Sequence, residues 1–148
     1  MPQSTKKRIK TYRPKHIQLP VMPELQKEFM FASHAAWTTL RLQPSAAAFD
    51  NLADIFNVIG QALQDTGRES VILASGMRAL QDVFNRAERT GKIAIGHYEQ
   101  PPITNAVLEC ESIVKQLDVV RLHHARIKTT HAARLARALN STNQKEFA

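Results

Sequence analysis

With one cysteine, Cys110, among 148 residues, the chain has no intramolecular disulfide and cannot assemble a cysteine-built zinc cluster or a paired redox motif. A reducing compartment follows, and a cytoplasmic location is the expectation. No apolar run approaches the ~20 residues that cross a bilayer, so no membrane partner is expected. The polar, basic opening has no apolar stretch behind it of the kind that marks a secretory signal. Aromatic residues are scarce at 6% and glycines number only five, which leaves an aliphatic interior. Thr90-Gly91-Lys92 lacks the upstream glycine of a phosphate-binding loop, and serines, histidines and aspartates stand in no hydrolase context. The chain is therefore expected to be non-enzymatic, with no catalytic residue, no metal site and no cofactor.

What the sequence does contain is positive charge in particular places. The formal net charge is +7, yet residues 1–20 hold six basic side chains and no acid, whereas residues 21–100 hold seven basic against nine acidic. Residues 101–148 return to a surplus, seven against four. Attraction to a polyanion would thus come from the two ends.

Prolines fall only at 2, 14, 20, 23, 44, 101 and 102, so they separate long stretches free to be helical. Residues 1–22 show neither a helical nor a strand period and read as a basic flexible tail. Residues 23–148 read as one helical domain. Leu25, Phe29, Ala32, Ala36, Trp37 and Leu40 recur at helical spacing over 24–42; Phe49, Leu52, Ile55, Phe56, Ile59 and Leu63 do so over 45–66; Leu73, Met77, Leu80, Phe84 and Ala87 do so over 69–90. Gly91 suits a left-handed terminator, and the stretch after it, in which Lys92–Ile95 could form a brief extended piece, is expected to be mostly loop. From Ile103 to Asn140 there is neither Gly nor Pro, and one long helix of ~57 Å is the simplest expectation. The fold class is all-α, an antiparallel four-helix bundle whose overlong last helix bends, overhangs or finds a partner, a homodimer being favoured.

Two constellations bear on binding. In the tail, Lys6, Lys7, Arg8, Lys10, Arg13 and Lys15 surround Tyr12, a composition suited to phosphates with one stacking ring, and equally to a solubilising or localising extension. In the last helix, His123, Arg126, Thr130, Arg134 and Arg137 are spaced three, four, four and three, which sets them along one face. That stripe suits a phosphate backbone, while the same placement also suits a solvated face complementing the helix dipole. Beside it runs an apolar seam, Val120, His124, Ile127, His131 and Leu135, the expected interface with a second chain or another protein. His124 and His131 sit ~10 Å apart on such a helix, too far to share one metal ion. Buried or half-buried neutral histidines would explain them, as would histidines meeting across a dimer and making it pH-sensitive.

LADIFNVIGQALQD at 52–65 superficially matches a helix-turn-helix. Its apolar stripe is unbroken, however, and no Lys or Arg lies between Arg41 and Arg68, so a continuous helix is expected.

KKRIKTYRPKH, PSAAAFDNLADIFNVIGQAL, ALQDVFNRAERTGK and TNAVLECESIVKQLDVV together resemble a family of small phage and mobile-element proteins of proteobacteria, sometimes labelled Fis-type regulators. The resemblance implies a mobile-element origin and carries over no catalytic or ligand residue. HHARIKTTHAARLARAL departs from the Fis pattern, having no residue that would break it into a helix-turn-helix. The leading expectation is a binding protein for an anionic partner, chiefly nucleic acid. The alternatives are a module that inhibits or recruits a host protein through the last helix, and a sponge for small anionic nucleotides at a subunit junction.

Overall fold

A computed structural model describes residues 20–146, in which five helices and no strand are found: α1 (Pro23–Leu42), α2 (Ala46–Asp65), α3 (Val71–Thr90), α4 (Gln100–Val114) and α5 (Val119–Glu146). Among the described residues, no helix is long and apolar enough to cross a membrane. The first three helices lie close to the expected spans, and each has a local reason to start where it does. Pro23 occupies the first turn of α1, where a missing N–H costs nothing. Ser45 and Ser70 cap α2 and α3, their hydroxyls accepting from Ala48 N at 3.1 Å and Leu73 N at 3.2 Å. Gly91 ends α3 at φ 73° and donates its N–H to the Ala87 carbonyl at 2.7 Å, a conformation open to glycine without strain.

The helices pack as a bundle on an aliphatic core. Leu40, Leu52, Phe56, Ile59, Val83, Ile103, Ala106, Val114 and Ala125 are fully enclosed. α2 runs through this core unbroken, so residues 52–65 form no helix-turn-helix. The α3–α4 contact is made close by Gly76, where an added Cβ would overlap that of Ala106 and stand 3.1 Å from the Pro102 carbonyl oxygen. Trp37 of α1 is buried and donates its indole N–H to Thr104 Oγ1 at 3.1 Å. Nearby, His34 pairs with Glu111.

Two expectations are corrected. The stretch 103–140 is not one helix: it divides at residues 115–118, giving five helices rather than four. Gln116 N bonds to Ile113 O at 2.9 Å and Leu117 N to Val114 O at 3.3 Å, tightening the end of α4. Asp118 Oδ1 then accepts from Val120 N at 2.7 Å, capping α5. The turn buries Leu117 and directs the first turns of α5 onto α2, instead of sending a solitary rod off the bundle. α4 also starts earlier than Ile103, because Pro101 and Pro102 sit in its first turn, where proline is tolerated.

Second, the expected tail ends too late at residue 22. Pro20 bridges Asp118 and Val21 is buried in the core, since a branched apolar side chain at the α4–α5 joint gains by leaving water. As expected of a stretch that is mostly loop, Lys92–Ile95 form no strand. They are the loop between α3 and α4, in which Ile93 and Ile95 pack against the core. Arg86 fastens this loop by a paired bond to Glu99, at 2.7 and 2.6 Å, and by donating to the Ala94 carbonyl at 2.7 Å. Gly96 N adds a third bond to Glu99, at 2.6 Å. The Arg86 guanidinium, together with Gly96 N–H, holds the Glu99 carboxyl below the usual carboxylate range against the opposing effect of burial.

Candidate nucleic-acid interface

α5 is the basic helix of the molecule. From Val119 to Lys145 it contains no Asp or Glu, while Arg121, Arg126, Lys128, Arg134, Arg137 and Lys145 are all basic. The first five of these cations divide into two groups with different work to do. Arg121 and Lys128 dock the helix: Arg121 Nη1 donates to the Asp65 carbonyl at 3.1 Å, and Lys128 Nζ meets Asp65 Oδ1 at 2.8 Å. Both cations therefore sit at the C-terminal end of α2, where the helix dipole is negative. Lys128 holds the Asp65 carboxyl below its ordinary value, helped by Gln61, which donates to it at 3.0 Å.

The second group is the stripe. His123, Arg126, Thr130, Arg134 and Arg137 are all exposed. Among the described residues, no carboxylate pairs with Arg126, Arg134 or Arg137. The reason lies in which face α5 buries. Ala125 is enclosed, and Val119, Leu122 and Thr129 are partly covered, while from Thr130 through Thr142 every side chain is exposed. The stripe points to one side of this packed face. Its three arginines retain their full donor sets for an incoming anion.

Of the apolar seam expected to form an interface, Val120 is 37% exposed, Ile127 53% and Leu135 52%. His124 and His131 are exposed as well, which corrects the expectation of buried neutral histidines: both lie on the side of α5 turned away from α2. Among the described residues, no group of three or more metal-binding side chains comes together. Cys110 is buried, and burial pushes its thiol up to about 12.

An open groove of about 560 Å³ lies between α2 and α3, floored by Leu63, Leu73 and Met77. On its rim Arg68 is offset by Glu69, so no positive charge converges there. The tail cations Lys6, Lys7, Arg8, Lys10, Arg13 and Lys15, with Tyr12, lie outside the described residues. Sequence reasoning found the stripe through its spacing. It missed the docking role of Arg121 and Lys128, because nothing in the local sequence links them to Asp65, over fifty residues away. It also missed Leu139, 67% exposed and beyond the seam as drawn. Set against known proteins, the chain matches no family model, no curated protein and no solved structure.

Proposed function

We propose that the chain is a non-enzymatic binding protein for a polyanion, and that the polyanion is nucleic acid. The observation that carries this reading is the unpaired state of Arg126, Arg134 and Arg137, on a helix without an acid from Val119 to Lys145. Three guanidinium groups in a row at helical spacing span about 16 Å. A phosphate backbone offers charges at comparable intervals, and each contact releases condensed counterions. On this reading the three arginines meet phosphate oxygens, contacts that position the duplex without reading its sequence, so binding tolerates sequence and depends steeply on salt. The basic residues of the first nineteen positions add to the same attraction. A phage or mobile-element origin, implied by the resemblance noted above, suits an accessory protein of this type.

A second reading has its own support. Ile127, Leu135 and Leu139 are exposed on α5, as expected of a helix offered to another protein. In that case a host factor is bound through apolar contact and the arginines serve orientation.

Fluorescence anisotropy on a labelled duplex separates the two. Reversing the stripe with R126E, R134E and R137E together is expected to remove binding while leaving the melting curve in place, because these side chains are exposed and pair with no carboxylate among the described residues. Unchanged duplex affinity in that variant would contradict the nucleic-acid reading.

A further inference from the structure

We propose that the groove between α2 and α3 is the docking site of the chain's own basic opening segment, residues 1–19. Ile9 and Tyr12 lie over its apolar floor, and the lysines and arginines around them meet its acidic rim. The extent of the groove is the first reason. The hollow floored by Leu63, Leu73 and Met77 continues past Met77 into a second one of about 250 Å³, lined by Phe49, Ala53 and Phe84. Together they follow α3 from Val71 to Phe84, a run of ~20 Å. Val71 and Phe84, one at each end, are exposed, and removing such surface from water is favourable.

Charge is the second reason. Asp50, Asp54 and Asp82 each follow a residue that lines the groove, and Glu69 lines it directly. All four are exposed, and none is in an ion pair among the described residues. Only Arg68 and Arg78 stand against them at the same positions, so the rim is acidic. Residues 1–19 hold six basic side chains and no acid, the complementary pattern. The same carboxylates repel a nucleic acid from this groove.

Position and reach complete the argument. Pro20 bridges Asp118, and two residues earlier Gln116 accepts from Arg68 Nη2 at 3.0 Å. Arg68 lines the groove, so the opening segment joins the bundle beside the end of the groove at the α2–α3 loop. Nineteen residues reach as far as ~60 Å, enough to cross from the joint and then follow the whole groove. In that segment Ile9 and Tyr12 stand among Lys6, Lys7, Arg8, Lys10 and Arg13, which pairs apolar side chains with the floor and cations with the rim. A segment tethered this near its site meets it at an effective concentration in roughly the millimolar range, so modest contacts hold it.

The docking does not rest on the nucleic-acid reading, and the two fail separately: one is tested without nucleic acid, the other by anisotropy on a duplex. The full chain is treated with a carbodiimide, which joins a lysine amine to a carboxylate in contact with it, at two widely separated protein concentrations. Mass spectrometry of the single-chain band is expected to find Lys6, Lys7 or Lys10 joined to Asp50, Asp54, Glu69 or Asp82 at both concentrations. These links should exceed those to Glu24 and Glu28 of α1. I9S with Y12S keeps every charge and lies outside the bundle; its links to the groove should fall by about tenfold with the loss of apolar contact. Lysines that join Glu24 and Glu28 in preference overturn the proposal. So do links unchanged in I9S with Y12S, because charge alone would then account for them. Links confined to the two-chain band and lost on dilution overturn it in favour of the opening segment of a second copy.

Discussion

The closeness of α3 and α4 can be tested by making one chemical change at two glycines. At Gly76 an added methyl would overlap Ala106 Cβ and stand 3.1 Å from the Pro102 carbonyl oxygen, with Phe56 Cε2 at 3.5 Å. The two nearest obstacles are a backbone atom and a Cβ, neither of which can rotate aside, so the helices must part. Overpacking of this kind costs about 3 kcal/mol at its upper end. Alanine returns about 1 kcal/mol through its better helix propensity, leaving a net loss of about 2 kcal/mol. At Gly60 the same methyl would meet only Met77 Sδ at 3.7 Å and Leu73 Cδ2 at 4.0 Å. Those are ordinary contacts, so only the propensity gain remains, about 1 kcal/mol. In a domain of this size Gly76→Ala should therefore melt about 4–8 °C below the wild type, and Gly60→Ala about 2–4 °C above it. Circular dichroism at 222 nm, with the fluorescence of buried Trp37 as a second probe, reads both. Two upward shifts would refute the reasoning, because propensity alone would then explain them.

Three further outcomes follow from the same structure. Glu99→Gln should lose about 2 kcal/mol at neutral pH, by weakening the charge-assisted bonds to Arg86. Because the folded-state pKa of Glu99 is depressed, its contribution is present above the ordinary carboxylate value of about 4.3 and is lost as pH falls through the lowered one. Denaturant melts below about pH 4 should thus be less pH-dependent in the variant than in the wild type. Cys110, with its thiol pushed up to about 12 inside the core, should resist a thiol reagent at pH 8 until the chain unfolds; rapid labelling of the native protein would contradict its burial. Asp118→Ala removes the cap of α5 and should cost about 1 kcal/mol, seen as an earlier melt, whereas Asp118→Asn should preserve most of the stability.

The first three helices were legible because each combines an apolar stripe of helical period with punctuation at both ends. Prolines or serines open them, and a short loop or Gly91 closes them. The division of the last helix was not legible to a search for Gly and Pro, since its break is made by other means. Leu117 gains by turning inward, and Asp118 supplies both a cap and a bridge to Pro20. An aspartate before an apolar pair was the available signal, and it reads equally well as a residue inside a helix. Pro101 and Pro102 misled in the opposite direction: taken as a stop, they are the opening turn of α4.

For the candidate site, spacing alone placed Arg126, Arg134 and Arg137 on one face. Which cations remain free was a tertiary fact. Arg121 and Lys128 looked no different in sequence, yet Asp65 engages both. The exposure of His124 and His131 was likewise hidden, because their spacing is that of a buried stripe and only the choice of packed face by Leu122 and Ala125 decides otherwise.

The salt dependence of duplex binding tests the central claim most directly. The logarithm of the observed association constant, plotted against the logarithm of salt concentration, should fall with a slope that shrinks by about 0.9 for each phosphate contact removed. Replacing Arg126, Arg134 and Arg137 together by glutamine should then flatten the slope by nearly three. A wild-type chain that holds the duplex with the same slope as the triple variant would show that these arginines meet no phosphate, and the account would be wrong.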